Sequence, residues 1–337
     1  MKDRSSAPLL PTLLPALVMA ALTGCGGDPD GEPIRFTVPQ GAGFSTVTDT
    51  LARRQIIDWP LVFRLYGQMR GVAGDVKPGV YEVRPGTSWD EILEKLVEGD
   101  IVRAAVVVPE GWTSEQIARR IAALTNQPLD SVLPLMADSA LVDSFGLPGP
   151  TLEGYLYPAT YHLPVNVSPR EAIGAMVKRY QQVWTPELRA LADSAGLSER
   201  EVVTLASIVE KEAKRWTERD TIAAVYRNRL RIGMPLQADP TVQYALGSHQ
   251  QRLLYSHIEN VADHPYNTYT HAGLPPGPIA SPSEGSIRAV LQPAEVDFLY
   301  FVARPDGTHE FTRSLAEHNR AKSRIRRELQ MQAAEGS

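Results

Sequence analysis

Ser198-Glu-Arg-Glu-Val-Val-Thr-Leu-Ala-Ser-Ile-Val-Glu-Lys-Glu-Ala-Lys-Arg-Trp216 is the stretch around which the chain is organised. Ser198 lies three residues ahead of Glu201, which predicts a capping box: hydroxyl and carboxylate each satisfy a backbone N–H that the first helical turn leaves without a partner. At about 100° per residue, Val202, Leu205, Ala206, Val209 and Ala213 share one face, so the spacing predicts a core helix buried on that side. Glu210 and Glu212, near its end, project about 160° apart on opposite flanks of the apolar stripe. They cannot act as a close pair. A carboxyl at the rim of a buried helix suits a raised pKa and general acid work, whereas a solvated boundary charge does not. Periodicity leaves the choice between the two glutamates open.

The 337 residues are 43% hydrophobic and 22% charged, an ordinary globular composition with room for two domains. A formal net charge of −5 argues against nucleic acid as a partner, because phosphate binding needs a basic face. Cys25 is the single cysteine, which excludes an intrachain disulfide and a thiolate metal site. Lys2 and Arg4, an apolar run through Leu22, and then Thr23-Gly24-Cys25 describe an export signal over residues 1–25. It reads either as a lipobox with Cys25 as the lipidated residue or as an uncleaved membrane anchor. Both readings place the remaining chain in a bacterial cell envelope, outside the cytoplasm and held at a membrane, the inner one being favoured. Residues 26–33 alternate Gly, Asp and Pro and read as a flexible tether.

A unit then recurs: strand, Pro/Gly turn, and a helix opened by Ser or Thr. Phe36-Thr-Val-Pro-Gln-Gly41, Tyr81-Glu-Val-Arg-Pro-Gly86 and Val106-Val-Val-Pro-Glu-Gly111 each lead into an amphipathic segment, the third opened by a capping box of Thr113 and Gln116. Such βα units resemble the LysM-like module, which binds the N-acetylglucosamine-containing glycan of bacterial walls. Residues 34–125 are therefore expected to form a small LysM-like α+β region, 126–151 a connecting segment, and 152–335 a second domain.

In the second domain, Leu152-Glu-Gly-Tyr-Leu-Tyr-Pro158 sets Glu153 among Tyr155 and Tyr157, and aromatic rings beside a carboxylate suit the apolar face and hydroxyl rim of a sugar. Residues 265–282 form the longest irregular stretch, and Tyr266, Asn267 and Tyr269 make it a candidate cleft wall. The seven histidines show no HExxH, and GxSxG, Walker and GxGxxG patterns are missing, so metal, serine-hydrolase, NTPase and dinucleotide chemistries have no handle.

Ala206-Ser-Ile-Val-Glu-Lys-Glu212, Glu218-Arg-Asp220, the run from Asn228 through Leu236-Gln-Ala-Asp-Pro-Thr241, Tyr266-Asn-Thr-Tyr-Thr270 and Gly273-Leu-Pro-Pro-Gly277 together resemble the endolytic murein transglycosylase (MltG, YceG-like) family. The resemblance runs from about Phe36 to the last helix. It implies a LysM-like βα domain followed by a mixed α/β catalytic domain with a glutamate-bearing central helix. It implies cleavage of the β-1,4 bond from N-acetylmuramic acid to N-acetylglucosamine within peptidoglycan strands, leaving 1,6-anhydro ends. No cofactor is implied, and the setting is nascent glycan beside penicillin-binding proteins. The catalytic residue it points to is Glu212, the second glutamate of the triplet. Glu210, Gln237, Asp239 and Thr241 then position Glu212 or the sugar, with Glu153, Tyr155, Tyr157, Tyr266, Asn267 and Tyr269 as further substrate contacts. Members usually carry a single spanning helix where this chain has a lipobox-like signal. Two other readings remain: a non-catalytic wall-binding lipoprotein, and a hydrolytic muramidase with Asp239 or Glu153 activating water.

Overall fold

The computed structural model describes residues 31–335, apart from 249 and 252. The expected export signal, Cys25 and most of the tether lie outside the described residues. The chain is a mixed α+β protein of two compact units: one holds the residues up to Ala104 together with His162–Val167, the other holds the remainder.

In the first unit, β1 (Ile34–Val38) and β2 (Gly79–Val83) pair antiparallel, with Ile34 opposite Val83 and Val38 opposite Gly79. Helices α1 (Phe44–Arg53) and α2 (Pro60–Met69) lie between them in the chain, and α3 (Trp89–Glu98) follows. Alternation along the strands turns Phe36, Val38, Tyr81 and Val83 inward, where they meet Val47, Leu51, Ile92 and Leu96 from the helices. Phe44 stacks on Phe63 at 5.8 Å, and Trp89 meets Phe63 edge-on at 5.4 Å. Ser88 caps α3 by accepting from the Glu91 N–H, and left-handed Gly99 ends it.

From Ala105 onward the third βα repeat falls in the second unit. Strands β3 (Arg103–Val108) and β4 (Ala159–Pro164) each run across the division between the units in the chain, and helix α4 (Ser114–Thr125) begins with the expected capping box. The apolar face of α4, with Ile117, Ala118, Ile121 and Ala122, is buried against the short helix α5 (Leu129–Val132), the 3₁₀ turn at Leu133–Ala137 and, further on, α7. The first unit closes its core without it. Next come α6 (Ser139–Ser144), α7 (Pro169–Val183), α8 (Pro186–Ala195) and the central helix α9 (Glu199–Glu212). α10 (Arg219–Arg231), α11 (Asp239–Leu246), α12 (Tyr255–Asn260) and α13 (Glu284–Leu291) follow, then the antiparallel hairpin of β5 (Tyr300–Ala303) and β6 (His309–Thr312), and α14 (Leu315–Glu335).

The expected capping box of Ser198 and Glu201 opens α9. Burial departs from the one-sided expectation, because every residue from Val202 to Val209 is inaccessible. α8, α10, α11 and α13 pack around the helix, so Val203, Thr204, Ser207 and Ile208, off the predicted stripe, are covered as well. Ala213 is the C-cap, not a core residue.

Gly154 is fixed by close packing. Its φ is +83°, and a Cβ there would stand 2.4 Å from the Pro278 side chain and 3.1 Å from Val203. Gly154→Ala is expected to destabilise the chain by about 2–4 kcal/mol through overpacking and backbone strain. A urea denaturation series measures it; an unchanged midpoint would contradict this packing.

Candidate active site

The last turn of α9 separates its glutamates as the helical period requires, and each meets a different environment. Glu210 turns toward α13 and is saturated: it accepts from Arg219 Nη2 at 2.8 Å, from the Ser283 N–H at 3.0 Å, and from the hydroxyls of Ser283 and Ser286. Ser283 is the N-cap of α13, so Glu210 ties the end of one helix to the start of another.

Glu212 faces an open cleft of about 360 Å³. Its Oε1 accepts from the Tyr226 hydroxyl at 2.9 Å. Burial raises its pKa from 4.5 to about 7; Asp239 pushes in the same direction, while the Tyr226 hydrogen bond and Arg229 oppose it. The carboxyl is therefore divided between acid and base forms near neutral pH. Tyr226 sits on α10, three residues before Arg229, and packs edge-on against Phe301 of β5. Arg229 donates to the carbonyls of Leu299 and Leu236 and lies over the Tyr300 ring at 5.4 Å. One cation thus joins the hairpin and the segment before α11 to α10. Tyr300 in turn stacks on His318 of α14, and His309 is held by Glu218 at 2.9 Å through its ring and at 2.9 Å through its N–H.

Leu236-Gln-Ala-Asp239 reaches the cleft through a pinned turn. Gln237 has a φ of +48°, unusual for a residue with a side chain. It is held there because the Gln237 N–H donates to the Thr268 carbonyl, the Ala238 N–H to the Thr268 hydroxyl, and the Thr241 hydroxyl to the Ala238 carbonyl. Asp239 accepts from the Tyr269 hydroxyl at 2.5 Å.

Of the sequence-predicted residues, Glu212, Gln237, Asp239 and Tyr269 line this cleft. The others stand elsewhere. Thr241 and Asn267 are buried braces, Asn267 donating to the Ile258 and Val261 carbonyls and accepting from the Tyr269 N–H. Tyr155 is a core residue set edge-on to Tyr180. Tyr157 lies under the Arg179 guanidinium and accepts from Tyr161 through its carbonyl. Glu153 is 3% exposed and accepts from the Ser114 N–H and hydroxyl, capping α4. Burial lifts it to about 7, and Tyr244, packed on Tyr266 at 4.8 Å, is its neighbour. It does not line the cleft with Glu212. Tyr226, Arg229, Tyr300, His309, His318 and Lys322 do, and none was singled out as a site residue from the sequence. Tyr226 carried a visible sign: it shares the inward face of its helix, yet a buried phenol needs a partner for its hydroxyl.

The profile of the YceG-like family matches residues 36–324. The chain is 35% identical over 312 residues to the endolytic murein transglycosylase of Bacillus subtilis, covering 86% of this chain and 84% of that one. Against the protein of the same description from Streptococcus pneumoniae, identity is 29% over 84% of this chain, which spans 56% of that longer relative. A crystal structure of a YceG-like protein from Listeria monocytogenes superposes with a TM-score of 0.60 at 36% identity, over 86% of this chain and 99% of the other.

Linkage gives this site a stability signature. The folded-state pKa of Glu212 exceeds its unfolded value, so its contribution is fully present below about pH 4.5 and is lost as pH rises through about 7. Glu212→Gln fixes the neutral form. The variant is expected to gain stability over the parent across that window, by at most on the order of 3 kcal/mol. Parallel melting curves from pH 4 to 8 measure it; a constant difference in midpoint would contradict the raised pKa.

Proposed function

The chain belongs to the YceG-like family, and from that premise we propose that it is a peptidoglycan lytic transglycosylase that cleaves within glycan strands through one carboxyl group, Glu212. The observation that carries the reading is the Glu212 carboxyl in the cleft, held by Tyr226 and poised near neutrality by desolvation. Protonated Glu212 donates to the glycosidic oxygen as the bond from muramic C1 breaks. The carboxylate left behind then takes the proton from the muramic C6 hydroxyl, whose oxygen closes onto C1. One product ends in 1,6-anhydro-N-acetylmuramic acid, the other in a free C4 hydroxyl of N-acetylglucosamine. Glu212 finishes protonated and no water is consumed.

The remaining residues supply position and field. Tyr226 fixes the carboxyl and favours its charged form during the second step. Asp239, oriented by Tyr269, places negative charge near the developing oxocarbenium ion, and the pinned backbone at Gln237 holds that side of the cleft. The LysM-like reading of the first unit, as a grip on glycan, draws support from its order of strand, two helices and an antiparallel partner strand. Residues 1–25 support an envelope location with the enzyme held at the membrane, beside penicillin-binding proteins where nascent strands are terminated.

Digestion of purified peptidoglycan with mass analysis of the muropeptides tests the assignment. Anhydro ends are expected, and Glu212→Gln should release none while keeping its fold; reducing ends would instead indicate hydrolysis with Asp239 as base. Tyr226→Phe removes a hydrogen bond that lowers the Glu212 pKa. Its rate is expected to fall by about 10- to 100-fold, and the alkaline limb of its kcat/KM profile should move to higher pH. A limb that stays in place would separate Tyr226 from Glu212.

A further inference from the structure

α2 of the first unit has apolar residues on two sides. Its inward edge is narrow: Phe63 is fully buried, and Gly67 lies so close to the Phe44 ring that a Cβ would overlap it. The opposite side carries Leu61, Leu65 and Met69, spaced four apart, with Val62 beside them. At about 100° per residue these four fall within about 100° of arc. Leu61 is 75% exposed, Leu65 57%, Met69 77% and Val62 42%, and Trp59 at the head of the helix is 65% exposed. The neighbouring helices behave differently. α1 turns Asp49, Thr50 and Arg53 outward, and α3 turns Asp90, Glu91, Glu94 and Glu98 outward. A contiguous apolar face of this kind on an otherwise polar unit marks an interaction surface.

We infer that this face of α2 seats the first unit on a lipid bilayer. Three features select lipid over protein as the occupant. Tryptophan at the border of an apolar face is the arrangement found at membrane interfaces, where the ring lies flat at headgroup level. From Trp59 to Gly71 there is no acidic residue, and the two arginines are held off the apolar face, Arg64 by Asp49 and Arg70 by Asp90, so no unpaired charge stands on the side turned to the bilayer. The apolar run ending at Leu22 and Cys25 stands only eight residues, 26–33, ahead of β1. At ~3.3–3.6 Å each those residues reach about 26–29 Å, about the width of a small domain, so the unit stays within its own width of whatever holds residues 1–25. Burial of Leu61, Leu65 and Met69 about 5–10 Å into the headgroup boundary would cover the face. This inference rests on the membrane-anchored reading of residues 1–25, and it gives the anchored enzyme a fixed orientation to the membrane surface.

The test uses the full chain reconstituted into vesicles of phosphatidylcholine and phosphatidylglycerol, with acyl chains brominated or not. The chain holds five tryptophans, so Trp59→Phe isolates the contribution of one. Brominated lipid is expected to quench the parent more than Trp59→Phe, by the emission of a single tryptophan. Leu61→Ser/Leu65→Ser/Met69→Ser, all exposed and outside the core, should still co-float with vesicles while losing that extra quenching. Co-flotation of the parent with equal quenching in Trp59→Phe would overturn the inference and hand the face to a protein partner, leaving the anchor reading intact. Failure of the parent to co-float would overturn both.

Discussion

Burial of α9 on all sides is the constraint on which the site depends. A helix covered from Val202 to Val209 has no freedom to rotate, so its last turn delivers Glu210 and Glu212 in fixed and opposite directions. One side is closed by α13, whose capping Ser283 and first-turn Ser286, together with Arg219, satisfy Glu210. The other side is left open between α10, the β5–β6 hairpin and α14, and Glu212 stands there with one phenol as its hydrogen-bond donor. The contrast in partners produces the contrast in chemistry. Glu210, with four donors, holds two helices together; Glu212, raised by burial to about 7, is divided between acid and base forms near neutral pH.

The cleft is assembled from residues far apart in sequence, and Arg229 is the joint between them. Its guanidinium ties the start of β5 to the segment before α11, and its position over Tyr300 fixes the ring that packs on His318. Buried polar networks of this kind hold one arrangement because each member loses its partners in any other. The pinned turn at Gln237 follows the same logic through Thr241 and Thr268.

What was legible in the sequence was local. The capping boxes at Thr113 and Ser198 and the opposed glutamates follow from spacing and period alone. What was not legible required knowing which elements meet. Nothing in the sequence around Tyr300 or His318 distinguishes them from core aromatics until α10, β5 and α14 converge on one cleft. Of the residues offered as sugar contacts, Glu153, Asn267 and Thr241 brace backbone groups and Tyr155 packs in the core. Polar residues near turns look alike whether they face a ligand or a carbonyl. One-sided burial of α9 was inferred from its stripe, but Val203 and Ile208 are apolar as well, and that is the mark of a helix enclosed from every side.

The central claim is that Glu212 alone moves the proton and that the muramic C6 hydroxyl, not water, closes the reaction. Cleavage of peptidoglycan in water enriched in heavy oxygen tests it directly by mass analysis of the new muramic ends. The account predicts anhydro ends without the label. Labelled reducing ends formed as the primary product would contradict it and would assign the cleft to hydrolysis.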